Sequence, residues 1–391
     1  MLRNIPKGVW VLGLVSMLMD ISSEMIHSLL PLFMVTTLGM SALAVGLIEG
    51  LAESVALMIK VFSGVLSDYI GKRKGLTVFG YALSAFSKPF FALTTLGSVV
   101  LGARLMDRVG KGIRGAPRDA LVADLSPPEL RGASFGLRQS LDTTGAFLGP
   151  LIATGLMLLL ANDFRMVFWA AFIPALLAVL LLVVGLREPD RKEVTKRSNP
   201  IRRENLARMG VAYWWIVAIG AAFSLARFSE AFLVLKAQMS GVPLALVPLV
   251  MVAMNFIYSL CAYPFGKLSD RMNHKRLLAL SIVVLLCADL ILSVDGHWSV
   301  MLVGVILWGV HMGMSQGLLA TMVAAVAPAE LRGTAFGVFN LASGVAVLFA
   351  CVVAGGLWDG FGAAYTFYAG ACFCVLTLVL LRMAPRDVSS L

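Results

Sequence analysis

Between positions 98 and 123 the chain sets Arg104, Asp107, Arg108, Lys111, Arg114, Arg118 and Asp119 among apolar residues. At 100° per residue they all project within about 140° of one helical face. Upstream, Asp20, Glu24 and His27 follow i, i+4, i+7 spacing in another apolar run, with Ser23 beside them. Acids and bases on facing helices pair with one another, or bind a proton or a charged solute where water has only partial access. Glu49, Glu53 and Lys60 share one face of a third run, Lys88 precedes Pro89, and Arg138 stands four residues before Asp142. In the second half only Arg227, Glu230, Asp289 and His311 are comparable, with Asn255, Tyr258, Trp308 and Gln316 as polar contacts. Asp289 lies toward a helix end and is expected to be wetted. His311 is expected as a hydrogen-bonded interior residue.

These groups are carried by an apolar scaffold. Of the 391 residues 59% are hydrophobic and 14% charged, against about 25% charged in soluble proteins; the mean hydropathy is +0.88. Apolar runs near 20 residues recur, each able to cross about 30 Å of hydrocarbon. They predict an all-α membrane protein of twelve transmembrane helices. The first six are expected at 8–36, 42–69, 75–96, 98–123, 133–160 and 164–186. The second six are expected at 210–238, 244–270, 275–294, 298–325, 334–358 and 363–383. A charge at the centre of a lipid-facing helix costs about 2.5–3.5 kcal/mol, so the five charges from Arg104 to Arg114 would together cost on the order of 12–18 kcal/mol in lipid. They must face an internal cavity or pair with other helices. The first helix runs outward and the fourth inward. Depths counted at about 1.5 Å per residue set Asp20 level with Arg108 and Glu24 level with Arg104, which predicts two ion pairs.

The net charge of +10 does not describe a nucleic-acid surface. Lys and Arg fall in alternate loops: Arg3 and Lys7, residues 72–74, Arg131, residues 187–208, Arg271 to Arg276, Arg332, and Arg382 with Arg386. The opposite loops hold only Arg165 and Lys236. That asymmetry places both termini in the cytoplasm of a multi-pass inner (plasma) membrane protein, with the lipid bilayer as its surroundings. Cys261, Cys287, Cys351, Cys372 and Cys374 all sit in apolar helices, as small hydrophobes without a disulfide framework. His27, His274, His297 and His311 are scattered, so neither a metal site nor the catalytic cluster of a membrane enzyme is predicted. The N-terminal apolar run is too long for a cleavable signal peptide and lacks a small-residue cleavage site.

The chain is also duplicated. SPPELRGASFG (126–136) matches APAELRGTAFG (327–337) at an offset of 201, and GVLSD (64–68) matches GKLSD (266–270) at an offset of 202. Two independent matches at nearly one offset imply parallel six-helix halves, 1–186 and 210–391, joined by the polar stretch 187–209 as a cytoplasmic linker.

GVLSDYIGKRK (64–74) closely resembles the signature loop between helices 2 and 3 of the major facilitator superfamily. RVGKG (108–112) resembles that family's helix 4 motif. Gly136, Gly145, Gly149 and Pro150 have the spacing of the helix 5 motif of its drug:proton antiporters, although Ala153 and Thr154 stand where two further glycines are usual. The resemblance covers the whole chain and implies alternating access around a midplane cavity, with helices 1 and 4 lining its N-terminal half. It also implies that Asp68, with Arg73 and either Asp119 or Asp124, latches the cytoplasmic side. Gly145, Gly149 and Pro150 would permit close packing and a bend.

The expected function is a proton-coupled transporter of a small organic solute, with no cofactor besides the proton gradient and a monomer as working unit. Asp20, Glu24, Glu53 and Asp142 are the proton-coupling candidates. Arg104, Arg108, Lys111, Arg114, Arg138, Arg227 and Glu230 are the substrate-binding candidates. Export by antiport is favoured by the helix 5 motif, and import of an anionic or zwitterionic solute by the basic face of helix 4. A membrane sensor on the same fold is the remote alternative.

Overall fold

The computed structural model describes residues 5–70, 73–188, 209–269, 272–315, 317–328 and 331–385. Its secondary structure there is entirely helical. We number twelve helices: α1 (Lys7–Thr37), α2 (Ala42–Ile70), α3 (Arg73–Leu93), α4 (Gly97–Leu125), α5 (Arg131–Leu159), α6 (Phe164–Gly185), α7 (Val211–Met239), α8 (Leu249–Ser269), α9 (His274–Leu292), α10 (Trp298–Val326), α11 (Arg332–Phe361) and α12 (Ala363–Met383). Ten are long and apolar enough to cross a membrane. The other two are α4, with its charged face, and α9, which carries Lys275, Arg276 and Asp289 in 19 residues. Composition undercounts α4 because Arg104, Asp107, Arg108 and Arg114 are buried within the protein, and α9 because Lys275 and Arg276 at its start and the buried Asp289 interrupt its apolar run.

The chain forms two compact units that cut across the sequence halves. Unit 1 comprises residues 1–40, 55–197 and 244–252; unit 2 comprises 41–54, 198–243 and 253–391. Most of the linker, 189–208, lies outside the described residues.

In unit 1, α1 packs against α5 and α6, and α3 against α4 and α6. Val9, Leu12, Val15, Tyr81, Leu121 and Leu182 fill the core between them. Glycine seams set the spacing. A Cβ on Gly145 would lie 2.6 Å from the Met17 carbonyl oxygen, and one on Gly149 2.6 Å from the Glu24 Cβ. Without lipid-excluding hydrophobic attraction between helices, such close backbone approach supplies the packing energy. Pro150 is buried inside α5.

In unit 2, α7 packs against α11 and α12, and α9 against α10 and α12. The first turns of α2 belong here. Gly46 and Gly50 meet Cys351 and Leu348 of α11, and the Asp359 carboxylate accepts the Ala42 and Leu43 N–H groups at 3.0 and 2.8 Å. A carboxylate at a helix N-terminus satisfies orphan donors and the helix dipole together. Two helices of this unit are interrupted where the sequence predicts continuous spans. The α-helical hydrogen bonding of α7 stops at Ala226 and resumes at Ala231, and in α10 Gly317 adopts φ +74°.

Candidate functional site

Asp107 is the hub of the buried charges in unit 1. Its carboxylate receives the Lys88 ammonium at 2.9 Å, with the Arg104 and Arg108 guanidiniums at 3.9 and 3.8 Å. All four residues are at most 3% exposed. Lys88 also donates to Ser23 Oγ at 3.1 Å, and Arg104 Nη2 lies 2.7 Å from His27 Nδ1. Ser84 Oγ donates to the Asp107 carbonyl oxygen at 3.0 Å and accepts from Arg114, whose guanidinium lies 4.7 Å from the Tyr81 ring centroid. The ion pairs expected from matching depths, Asp20 with Arg108 and Glu24 with Arg104, are not formed. Asp107 stands one position before Arg108 and three after Arg104 on the same helix, so it reaches both first. Depth counting between helices cannot register a competitor within one helix.

A second cluster lies nearer the start of α5. Arg138 pairs with Asp142 and lies 3.7 Å from Asp119; Arg118 bonds Ser16 at 3.1 Å and reaches Asp119 and Asp142 at 3.2 and 3.9 Å. Asp20 lies within electrostatic reach of Lys111, Arg114, Arg118 and Asp142. Among the described residues neither Asp20 nor Glu24 makes an ion pair, and both are partly accessible, as is the exposed Lys111. Unit 1 thus holds paired acids, Asp107 and Asp142, beside two unengaged ones on a single face of α1.

At the start of α3, Arg73 pairs with Asp124 at 2.6 Å. Of the two acids the sequence offered Arg73, Asp119 turns instead to Arg118 and Arg138. The Glu188 carboxylate, which the sequence reading did not single out, accepts the Arg73 and Lys74 N–H groups at 2.7 and 2.9 Å and so caps α3. Asp68 is near the end of α2, and its side chain lies outside the described residues.

Unit 2 places Arg227 and Ser315 at its two helix interruptions. Arg227, in the break of α7, sets its guanidinium 5.6 Å from the Phe223 ring centroid. Both residues line a cavity of about 390 Å³ with Tyr258, Met312, Ser315 and Gly317, the last two at the break in α10. Irregular backbone at membrane depth is tolerated where it lines such a cavity, and broken helices build the substrate sites of many transporters. The sequence signals were weak: Arg227 and Glu230 within an otherwise apolar run, and Gly317 as the last of three glycines at 309, 313 and 317. Gln316 lies outside the described residues.

Glu230 and Glu53 both lie near Cys351, where α7, α2 and α11 meet. Glu53 therefore belongs to unit 2, not to the first-half cluster its position suggests, because glycines at 46, 50 and 355 draw that part of α2 onto α11. His311 is fully buried, with Nδ1 2.6 Å from the Trp308 carbonyl oxygen. Asp289 is not wetted. It is 0% exposed, enclosed where α9 packs on α12, and neither carboxylate oxygen has a hydrogen-bond partner. Among the described residues no group of three or more His, Cys, Asp or Glu could hold a metal ion.

The sequence profile of the Major Facilitator Superfamily matches residues 12–254 and 231–390. An uncharacterised MFS-type transporter of Methanocaldococcus jannaschii is 30% identical over 389 residues, covering 97% of this chain and 95% of that protein. The quinolone resistance protein NorA of Staphylococcus aureus is 23% identical over 361 residues, with 90% of each chain covered. Among solved structures, a POT family transporter in complex with 5-aminolevulinic acid superposes with a TM-score of 0.80 at 13% identity, covering 97% of this chain and 96% of that one.

Proposed function

Because the chain belongs to the Major Facilitator Superfamily, and is therefore a multi-pass membrane transporter and not an enzyme, we propose that it exports a small organic solute in exchange for protons. In this reading it sits in the inner membrane with both termini cytoplasmic. The observation that carries the reading is the pair of unengaged, partly accessible carboxylates Asp20 and Glu24 beside a buried network whose acids are already paired. A paired acid holds its charge. An unpaired acid in partial contact with water binds either a proton or the cationic group of a solute, and the two compete. Competition for one site is the linkage of antiport. The helix 5 glycines and the similarity to a quinolone resistance protein support the same direction.

Within unit 2, the cavity at the α7 and α10 breaks offers a solute Phe223 and Met312 as apolar walls and Tyr258 and Ser315 as hydrogen-bonding groups. Arg227 in that cavity favours one alternative. If it holds an anionic group, proton and solute bind together and the direction is import. The sign of the pH dependence separates the two. Purified protein is screened by thermal shift against quinolones, organic cations and organic anions, since binding to the folded state raises stability as RT ln(1 + [L]/Kd). For the best binder, affinity should weaken as pH falls from about 8 to about 6, because protons then occupy the carboxylates the solute needs. Asp20→Asn and Glu24→Gln should flatten that dependence. Affinity that strengthens toward pH 6 replaces export with anion import.

A further inference from the structure

We infer that Asp289 is a second proton-binding site of the transport cycle, enclosed in unit 2 and covered by the interrupted segment of α7. The inference rests on the proton-coupled reading above and adds a site to it. Asp289 is 0% exposed and both its oxygens lack a partner. An isolated ionised carboxylate in an apolar interior is very costly, and the neutral acid much less so.

The packing also selects the occupant. A Cβ on Gly370 would lie 2.6 Å from Asp289 Oδ2 and 3.0 Å from Phe228 Cε1, so not even a methyl group fits between them. An organic cation is excluded on size. A hard metal cation needs about six or more oxygen ligands, and no metal-holding cluster occurs among the described residues. A proton fits.

The titratable and charged groups on the elements around Asp289 are few. From α12, Cys374 faces it, one turn beyond Gly370. From α10 comes His311, bonded through Nδ1 to the Trp308 carbonyl, while the part of α10 after Gly317 (Leu318–Val326) carries no titratable side chain. From α7, Arg227 and Glu230 flank Phe228 in the sequence. None is an ion-pair partner of Asp289.

The cover connects this site to the solute. Phe228 follows Arg227 directly in the break of α7, and its ring packs on Trp308 at 5.4 Å and Phe367 at 5.7 Å. Arg227 lines the cavity and Phe228 closes over Asp289. A solute that draws Arg227 moves Phe228 with it, admits water to the carboxyl and lets the proton leave. Proton and solute are then coupled through two adjacent residues without sharing a site.

The test uses the full chain reconstituted in lipid vesicles. Infrared spectra should contain the carbonyl stretch of a protonated carboxyl that Asp289→Asn removes and Asp289→Glu displaces. A spectrum without such a band, or a band unchanged in both variants, overturns the assignment. If Asp289→Asn does not fold, the Asp289→Glu displacement decides. In vesicles loaded with a quinolone, Asp289→Asn should lose about tenfold or more of the gradient-driven flux while exchange of labelled for unlabelled quinolone persists. Gradient-driven flux retained in Asp289→Asn overturns the role in the cycle. Absence of that flux in the unaltered protein counts against the export reading and leaves the infrared band to decide Asp289 alone.

Discussion

Units 1 and 2 bury carboxylates in opposite ways. In unit 1 Asp107 is surrounded by three cations and Asp142 by two, and hydroxyls of Ser16, Ser23 and Ser84 take up further donors. In unit 2 Asp289 is buried among aromatic and small residues with no partner. Both units seam their helices with glycine and both interrupt helices, unit 1 in α1 between His27 and Leu30 and unit 2 in α7 and α10. The α7 break of unit 2, however, lies beside both the cavity and the orphaned acid. A network of paired charges resists displacement because movement breaks charge-assisted bonds. An orphaned acid beside a broken helix has fewer such bonds to lose. The contrast assigns the static part of the machine to the paired charges and the moving part to the unpaired ones.

The same isosteric substitution made in each unit is the hardest test of that contrast. Asp107→Asn leaves the Lys88, Arg104 and Arg108 charges without their shared carboxylate, and removing one partner of a buried pair costs about 3–5 kcal/mol. The variant should appear mainly as aggregate in size-exclusion chromatography, and Lys88→Met added to it should restore part of the monodisperse fraction. Asp289→Asn orphans nothing, so its unfolding temperature should match or exceed that of the parent. Comparable damage from both would erase the distinction between the units.

How much of this was legible in the sequence follows from the range of each signal. The inward face of α4 was legible because helical periodicity is local, and the duplication because two motifs repeat at one offset. Pairing was not. Arg104 and Arg108 had acids available on α1 and on their own helix, and only coordinates show that Lys88 completes the cluster around Asp107. Asp289 was misplaced because distance from a helix end measures depth along the helix, not the packing of α12 against it. The breaks in α7 and α10 were hidden because a span-long hydropathy average absorbs Arg227, Ser229, Glu230, Ser315 and Gln316 into their apolar flanks, and hydropathy does not register a lost backbone hydrogen bond.

A smaller effect tests whether unit 1 is static because of its seams. Gly149→Ala places a Cβ 2.6 Å from the Glu24 Cβ and 2.8 Å from the Ile21 carbonyl oxygen, and overpacking of that kind costs about 1–3 kcal/mol. Gly155, six residues along α5, has nothing within 4 Å of its ideal Cβ. Gly155→Ala should be neutral or stabilise by up to about 1 kcal/mol, the intrinsic helix preference of alanine. Thermal unfolding of the two variants side by side separates the seam from glycine content as such.

The smallest effect is expected at the start of α3, where the two halves also differ. Arg73 pairs with Asp124 at 2.6 Å, and the two side chains are 9% and 24% exposed. By the repeat offset of 201, the position matching Asp124 in the second half is Ala325. The duplication therefore kept the loop but carries this acid in only one copy. An ion pair open to water contributes about 0–1 kcal/mol, so Asp124→Asn should barely shift the unfolding temperature. Its position argues for an effect elsewhere. Glu188, just beyond α6, caps the same turn of α3 that carries Arg73, so the pair steadies the first turn of α3, which follows the α2–α3 loop. If that loop latches one state of the cycle, Asp124→Asn should lower turnover several-fold while ligand affinity stays within about threefold, a difference below 1 kcal/mol. Asp68→Asn should behave alike. A loss of affinity beyond about tenfold, or 1.4 kcal/mol, in either variant would move this region into the binding site. Unchanged turnover would reduce the Arg73–Asp124 pair to a surface contact.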